Sequence, residues 1–195
     1  PQKTSLLVAQ RIVAEITEAG KQPGDRLDPE HVMLETYGIG RGTLRESLRI
    51  LELQGVISLK RGSGGGPIVE RPDSRALASS LTLLLHFEGR PLAAVIEARA
   101  ALEPVVARLA AEHATPEQLT ALRENVERVA ARLDEQASVH REREHFHALL
   151  AAASGNSVFE HLVSAMLGIL ESGQVAHAAP QQVIERSVQD HRHIF

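Results

Sequence analysis

The sequence predicts a mainly α protein in two parts: an N-terminal winged helix-turn-helix, then an all-α helical bundle. Three observations carry this. Between Gly38 and Arg71, a helix with arginines at its start is followed by two short strand-like runs around a basic, Gly-rich turn. Arg71-Pro72-Asp73-Ser74 then interrupts the pattern. Everything after it has helical periodicity, with no internal repeat.

Ser5–Ala19 sets Leu7, Val8, Ile12, Ile16 and Ala19 at helical intervals, and Gly20 ends that segment. Gly24-Asp25 reads as a turn. Asp28 as N-cap and Pro29 at the first helical position open a second helix that runs to about Tyr37. Gly38-Ile39-Gly40 is the turn to the third helix, with Gly40 as its N-cap and Gly55 as its stop. Gly42 costs this helix about 1 kcal/mol of propensity relative to Ala; it either admits a close backbone approach or is tolerated. On the same helix Arg41, Arg45 and Arg49 recur every fourth residue. Leu44, Leu48 and Leu51 form a second stripe roughly 90° away. One stripe is suited to packing, the other to phosphates and base edges. Val56–Lys60 and Ile68–Glu70 are expected to pair as a hairpin. Its turn carries Lys60, Arg61 and four glycines within Gly62–Gly66. Residues 1–71 therefore form the first domain.

Residues 72–75 read as a linker and residues 76–195 as the second domain. Its helices are expected at Arg75–Phe87, Leu92–His113 behind Pro91, a segment opened by Thr115-Pro116-Glu117, Ser138–Ala153, Val158–Leu170 and Gln181–Phe195. Pro104 is expected to kink or divide the second of these near Glu103. The last helix is expected to be incomplete, because its pattern runs to Phe195 without a cap. The chain also starts at Pro1 without Met, so N-terminal residues are expected to be absent.

Composition narrows the function. Aromatic residues make up 3% and Trp is absent, which argues against single-strand or RNA modules built on exposed stacking platforms. There is no Cys, so disulfides and thiolate metal sites are excluded and a reducing cytoplasm is the expected location. No apolar run is long enough for a membrane span. The net charge of −4 is unevenly divided. Residues 1–71 carry ten Lys/Arg and nine Asp/Glu, whereas residues 72–195 carry eleven and sixteen. The bases of the first part gather on the third helix and the turn, and such clustering governs phosphate binding more than the total does.

With both domains placed, the chain resembles the GntR family of bacterial transcription regulators, in its FadR-like subgroup with an FCD-type effector domain. The N-terminal likeness rests on Gly24-Asp25-Arg26-Leu27, Pro29-Glu30, Arg41-Gly42-Thr43-Leu44-Arg45-Glu46, Leu51, Gly55 and Gly62. The C-terminal likeness rests on Glu97-Ala98-Arg99, Leu102-Glu103, Ala107-Arg108-Leu109-Ala110-Ala111, Phe146-His147, Gly155-Asn156, His191 and Ile194. The resemblance implies DNA contacts by Arg41, Thr43, Arg45, Arg61 and Gly62. Arg49 completes the arginine stripe. His31 stands where some members carry a contacting Arg, and Gly40 where a phosphate-binding hydroxyl is usual. A homodimer on a pseudo-palindromic operator in double-stranded DNA is implied as well.

In the second domain the resemblance puts Arg99 in a cavity where it can meet a small anionic metabolite. Glu103 is its i+4 neighbour, so an intrahelical ion pair is the competing expectation. The subgroup often holds a divalent metal through an Asp, the His of Phe-His and two later histidines. Here His147 and His191 match two ligands, Arg143 occupies the Asp place, and a fourth ligand is missing. Zn²⁺ or Ni²⁺ on His147 and His191 with Glu144 is one arrangement. The favoured one pairs Arg99 and Arg143 with the anion, with His147 and His191 as hydrogen-bond donors beside it. A metal-dependent enzyme built on the His cluster with Glu142 and Glu144 is the alternative class. It lacks an H-E-x-x-H or comparable pattern.

Overall fold

A computed structural model describes residues 2–60, 62, 65–89, 91–131, 136–172 and 189–191. The chain divides into two compact units, one ending at Ala76 and the other beginning at Leu77.

The first unit contains α1 (Gln2–Glu18), α2 (Glu30–Tyr37), α3 (Arg41–Leu53), β1 (Ile57–Lys60) and β2 (Gly66–Val69). Val8, Ala9, Ile12 and Ile16 of α1 lie against Leu44, Leu48 and Leu51 of α3, and Met33, Ile57 and Val69 complete the core. The leucine stripe of α3 is fully buried, which fixes the opposite side of that helix toward solvent. The buried Ser47 hydroxyl lies 2.9 Å from the Ser5 carbonyl and 2.8 Å from that of Thr43, tying α3 to α1.

The strands pair antiparallel with Ile57 opposite Val69 and Lys60 opposite Gly66. The second strand therefore begins at Gly66, two residues before the expected Ile68. Gly66 and Pro67 read as turn residues in sequence, but they are paired here because the ladder asks no N–H of Pro67; its carbonyl accepts from Leu27 at 3.0 Å. Arg26 bridges to Ile68 on the other edge of β2. Gly24 and Asp25 also bond Val69, Gly24 N–H donating to the Val69 carbonyl and Val69 N–H to that of Asp25, each at 2.8 Å. The Gly24-Asp25 turn is thus stitched to the hairpin.

The start of α2 differs in detail from expectation, whereas its end does not. Pro29, not Asp28, is the N-cap of α2, extended at φ −58° and ψ 150° with no side-chain cap. The Pro29 carbonyl accepts from Val32 and Met33, so the helix starts one residue later than Pro at N1 would give. Gly38 ends α2 in the left-handed conformation at φ +61°, as a helix-turn-helix turn requires.

The second unit contains α4 (Arg75–Glu88) from Leu77 on, α5 (Pro91–His113), α6 (Pro116–Ala131), α7 (Gln136–Ala153) and α8 (Ser157–Ser172). α7 packs on α5, α6 and α8. The core centres on Phe146 and Leu150, surrounded by Val106, Leu122, Val129 and Val163. α5 runs unbroken through Pro104, contrary to the expected division. The proline removes the bond to the Ala100 carbonyl, and Ala100 is exposed, so water can serve that acceptor. Thr115 and Gln118 form a reciprocal cap on α6, with N–H to side-chain oxygen distances of 2.9 and 3.3 Å. Asn156 Oδ1 accepts from Val158 and Phe159 at the start of α8. Of the expected last helix, Gln189–His191 are helical and the rest lies outside the described residues.

Candidate nucleic-acid interface and the polar cluster of the helical unit

In the first unit, Arg41, Arg45 and Arg49 stand exposed on α3, about a quarter turn round the helix from the buried leucines. Thr43 is half-buried at the first turn. Gly40 enters the helix extended, at φ −79° and ψ 159°, and no side chain caps it. The Leu44 N–H bonds the Gly40 carbonyl, so the amides of Arg41, Gly42 and Thr43 precede the first helical bond. A Cβ on Gly40 or Gly42 would meet nothing within 4 Å. An open helix N-terminus with free amides and flanking arginines suits a phosphate oxygen. His31 is exposed on the first turn of α2. At the hairpin tip Gly62 adopts φ +107°, and its carbonyl accepts from Gly65 at 2.9 Å, just beyond the exposed Lys60. Arg61 lies outside the described residues.

α2 is anchored from behind. The Tyr37 hydroxyl donates to Glu15 Oε2 on α1 at 2.5 Å. Arg11 donates to the other carboxylate oxygen at 3.0 Å and lies 5.2 Å from the Tyr37 ring centroid. Burial, and then the neighbouring Glu15 carboxylate, push the phenol well above its usual range. From the front, Glu30 Oε2 of α2 reaches Arg45 Nε of α3 at 3.8 Å.

In the second unit one cluster of charged groups is turned inward. Arg99 pairs with Glu103 one turn along α5, at 2.6 Å from Nη2 and 2.7 Å from Nε. The same Glu103 oxygen lies 3.3 Å from His147 Nδ1 on α7. The His147 and His191 rings meet edge to face with centroids 5.3 Å apart, and His191 stacks on Phe146 at 3.9 Å. Fold packing thus brings Arg99, His147 and His191 together, as three of the expected effector residues, and adds Glu103. Arg143 lies in α7, but its side chain is outside the described residues. Glu144 is half-buried in the same helix. No group of three or more His, Cys, Asp or Glu side chains among the described residues can hold a metal ion. Glu103 thus stands between the Arg99 guanidinium and the His147 imidazole.

A second buried polar group was not legible in sequence. Asn125 of α6 is fully buried and donates to the Glu142 carbonyl at 3.0 Å and its side chain at 2.8 Å. Arg128 joins that carboxylate at 3.4 Å. Asn125 Oδ1 finds no partner among the described residues.

Residues 4–65 match the family of bacterial regulatory proteins called gntR, and residues 94–195 match the FCD domain. The chain belongs to the gntR family and carries an FCD domain. It is a DNA-binding transcriptional regulator, and the enzyme reading of the His cluster falls with that assignment. Among its relatives, the HTH-type transcriptional regulator LutR of Bacillus subtilis (strain 168) is 26% identical across 89% of this chain and 81% of its own length. The HTH-type transcriptional repressor NanR of Salmonella newport (strain SL254) is 28% identical across 98% of this chain and 72% of its own. A solved GntR structure from Streptococcus agalactiae shares the fold with a TM-score of 0.63 at 22% identity, covering 97% of this chain and 90% of that one. Among the described residues of this gntR member, no helix is long and apolar enough to cross a membrane.

Proposed function

We propose that this regulator represses transcription in the cytoplasm by binding a pseudo-palindromic operator as a homodimer, and that a small anionic metabolite in the FCD domain sets its operator affinity. The carrying observation is the division of α3: leucines fully buried on one side, Arg41, Arg45 and Arg49 exposed on the other. In this reading Arg41 and Arg45 make bidentate contacts to guanine edges, while Thr43, Arg49 and the free amides hold phosphates. Arg61, with Gly62 at the hairpin tip and His31 on α2, adds backbone contacts. The repressing direction follows the relative named as a repressor.

Pairing of two copies is supported by α4. No residue of this helix is buried, and Ala76–Phe87 contains no Asp, Glu, Lys or Arg. Ala78, Leu81 and Leu85 pack on the bundle, yet Leu83 and Leu84 are 62% exposed and Phe87 85%. An uncharged apolar face meets its own copy without like-charge repulsion. Leu84→Asp with Phe87→Asp is expected to give a monomer by sedimentation; an unchanged dimer would place the interface elsewhere.

For the effector, Glu103 already neutralises Arg99 and faces His147. A metabolite carboxylate taking the place of Glu103 could bond Arg99, His147 and His191, with Arg143 as a further positive charge. Such an exchange gives one ligand-free and one ligand-bound arrangement of α5 against α7, the two states that coupling to DNA needs. The test is selection of duplexes from a randomised library with the wild-type protein, followed by a screen of small carboxylates for release of the selected duplex. No enrichment over random DNA would refute operator binding. Release that persists in Arg99→Ala would refute the pocket.

A further inference from the structure

Of the three exposed arginines on α3, Arg45 has an ion-pair partner, and Arg41 and Arg49 form none among the described residues. The partner is Glu30, from a different helix. Glu30 is the first residue of α2, whose start is fixed by the extended Pro29 and where no side-chain cap competes. A carboxylate there is favoured by the helix dipole, so its place is set by the fold rather than by Arg45. Both side chains are largely exposed, at 72% for Arg45 and 48% for Glu30, so the pair contributes little to stability. A carboxylate beside a DNA-facing arginine also repels phosphate, a cost on every sequence.

We propose that Glu30 is a positioning residue that orients the Arg45 guanidinium for base recognition. Its nearest approach is to Nε, at 3.8 Å. With the carboxylate on the Nε side, the two Nη groups remain for the O6/N7 edge of a guanine, which takes two parallel donors. Glu30 thereby selects one of the guanidinium's two forks and limits the rotamers of a long exposed side chain. Discrimination between bases improves although overall DNA affinity does not. This rests on the reading that Arg45 contacts a base, and the experiment separates the two.

The probes are one duplex selected from a randomised library by the wild-type protein and one scrambled duplex of equal length. Affinities for both are measured at one salt concentration with wild type, Glu30→Gln, Arg45→Ala and the double variant, each checked for helix content by circular dichroism. Glu30→Gln is expected to lower the selected-to-scrambled ratio about 10-fold, within the range of one good base contact. Its affinity for the scrambled duplex stays equal or rises, and on the Arg45→Ala background it changes nothing further. Equal strengthening of both duplexes would overturn the proposal and leave Glu30 as a repulsive charge. An equal fall in ratio with and without Arg45 would also overturn it, pointing to a structural role in α2. If Arg45→Ala itself keeps the wild-type ratio, the base-contact reading fails, and the pairing has no recognition to serve.

Discussion

The two units of this chain place charge in opposite ways. In the DNA-binding unit the core cluster is apolar, and the arginines of α3 stand in solvent. In the helical unit Arg99, Glu103 and His147 are joined in one cluster, the rings of His147 and His191 pack on Phe146, and Asn125 is wholly enclosed. Outward charge costs little to keep and is available to a polyanion. Inward charge must be paired, so each group depends on partners brought from other helices. The first arrangement suits a surface that reads a constant partner. The second suits a site whose pairing can be exchanged for a ligand's.

The sharpest contrast lies between adjacent residues on α3. Leu48→Ala is expected to cost about 2–5 kcal/mol of stability by leaving a cavity beside Ile12 and Leu51, measured by chemical denaturation. Arg49→Ala, one residue on, is expected to stay within about 0.5 kcal/mol of wild type in the same measurement. A similar stability loss in both would show that the arginine face is packed, not open.

A second contrast lies along α5, which carries two Arg–Glu pairs of identical spacing. Arg99 and Glu103 are 16% and 25% exposed, Arg108 and Glu112 61% and 50%. Arg99→Ala leaves Glu103 with a lost charge partner in a partly dry site and is expected to destabilise by about 1–3 kcal/mol. Equal costs for the two pairs would remove the distinction between inward and outward charge.

Tyr37 gives a pH-dependent version of the same test. Its phenol is raised by burial and by Glu15, so the folded state holds the proton more tightly than the unfolded state. That contribution is fully present below the ordinary phenol pKa of about 10 and is lost as pH rises above it. Tyr37→Phe is expected to cost about 1 kcal/mol at neutral pH and to flatten the loss of stability between about pH 10 and 11. An unchanged alkaline limb would mean that Tyr37 is not the group responsible.

The smallest effect is expected for Arg108→Ala, no more than about 0.5 kcal/mol, as for other exposed i,i+4 pairs.

The contrast also explains what could be read in sequence. The buried stripe of Leu44, Leu48 and Leu51 and the glycine stops at Gly38 and Gly55 are local, periodic signals, and they place α3 to within a few residues. The start of β2 differs from expectation because Gly66-Pro67 carries turn chemistry, while its pairing with Leu59 and Lys60 of β1 makes it a strand. Pro104 does not divide α5, since the local rule takes no account of an exposed residue at i−4 such as Ala100. In the helical unit Arg99 with Glu103 is visible as a spacing. The approach of Glu103 to His147 joins residues 44 positions apart and has no local signature. The same holds for Glu30 with Arg45 and Asn125 with Glu142. Roles for Arg61 and Arg143 remain expectations from the sequence, since their side chains lie outside the described residues.

The central claim is that the outward arginine face of α3 is the reading surface. The most direct test is the affinity ratio between a selected and a scrambled duplex for Arg41→Ala/Arg45→Ala, with Arg108→Ala/Arg123→Ala, two exposed arginines of the helical unit, as a control of equal charge change. The wild type is expected to prefer the selected duplex by about 10³-fold or more. The control should keep that ratio, while the double variant should approach equal affinity for both duplexes with its circular dichroism unchanged. A double variant that folds and keeps the wild-type ratio would contradict the account.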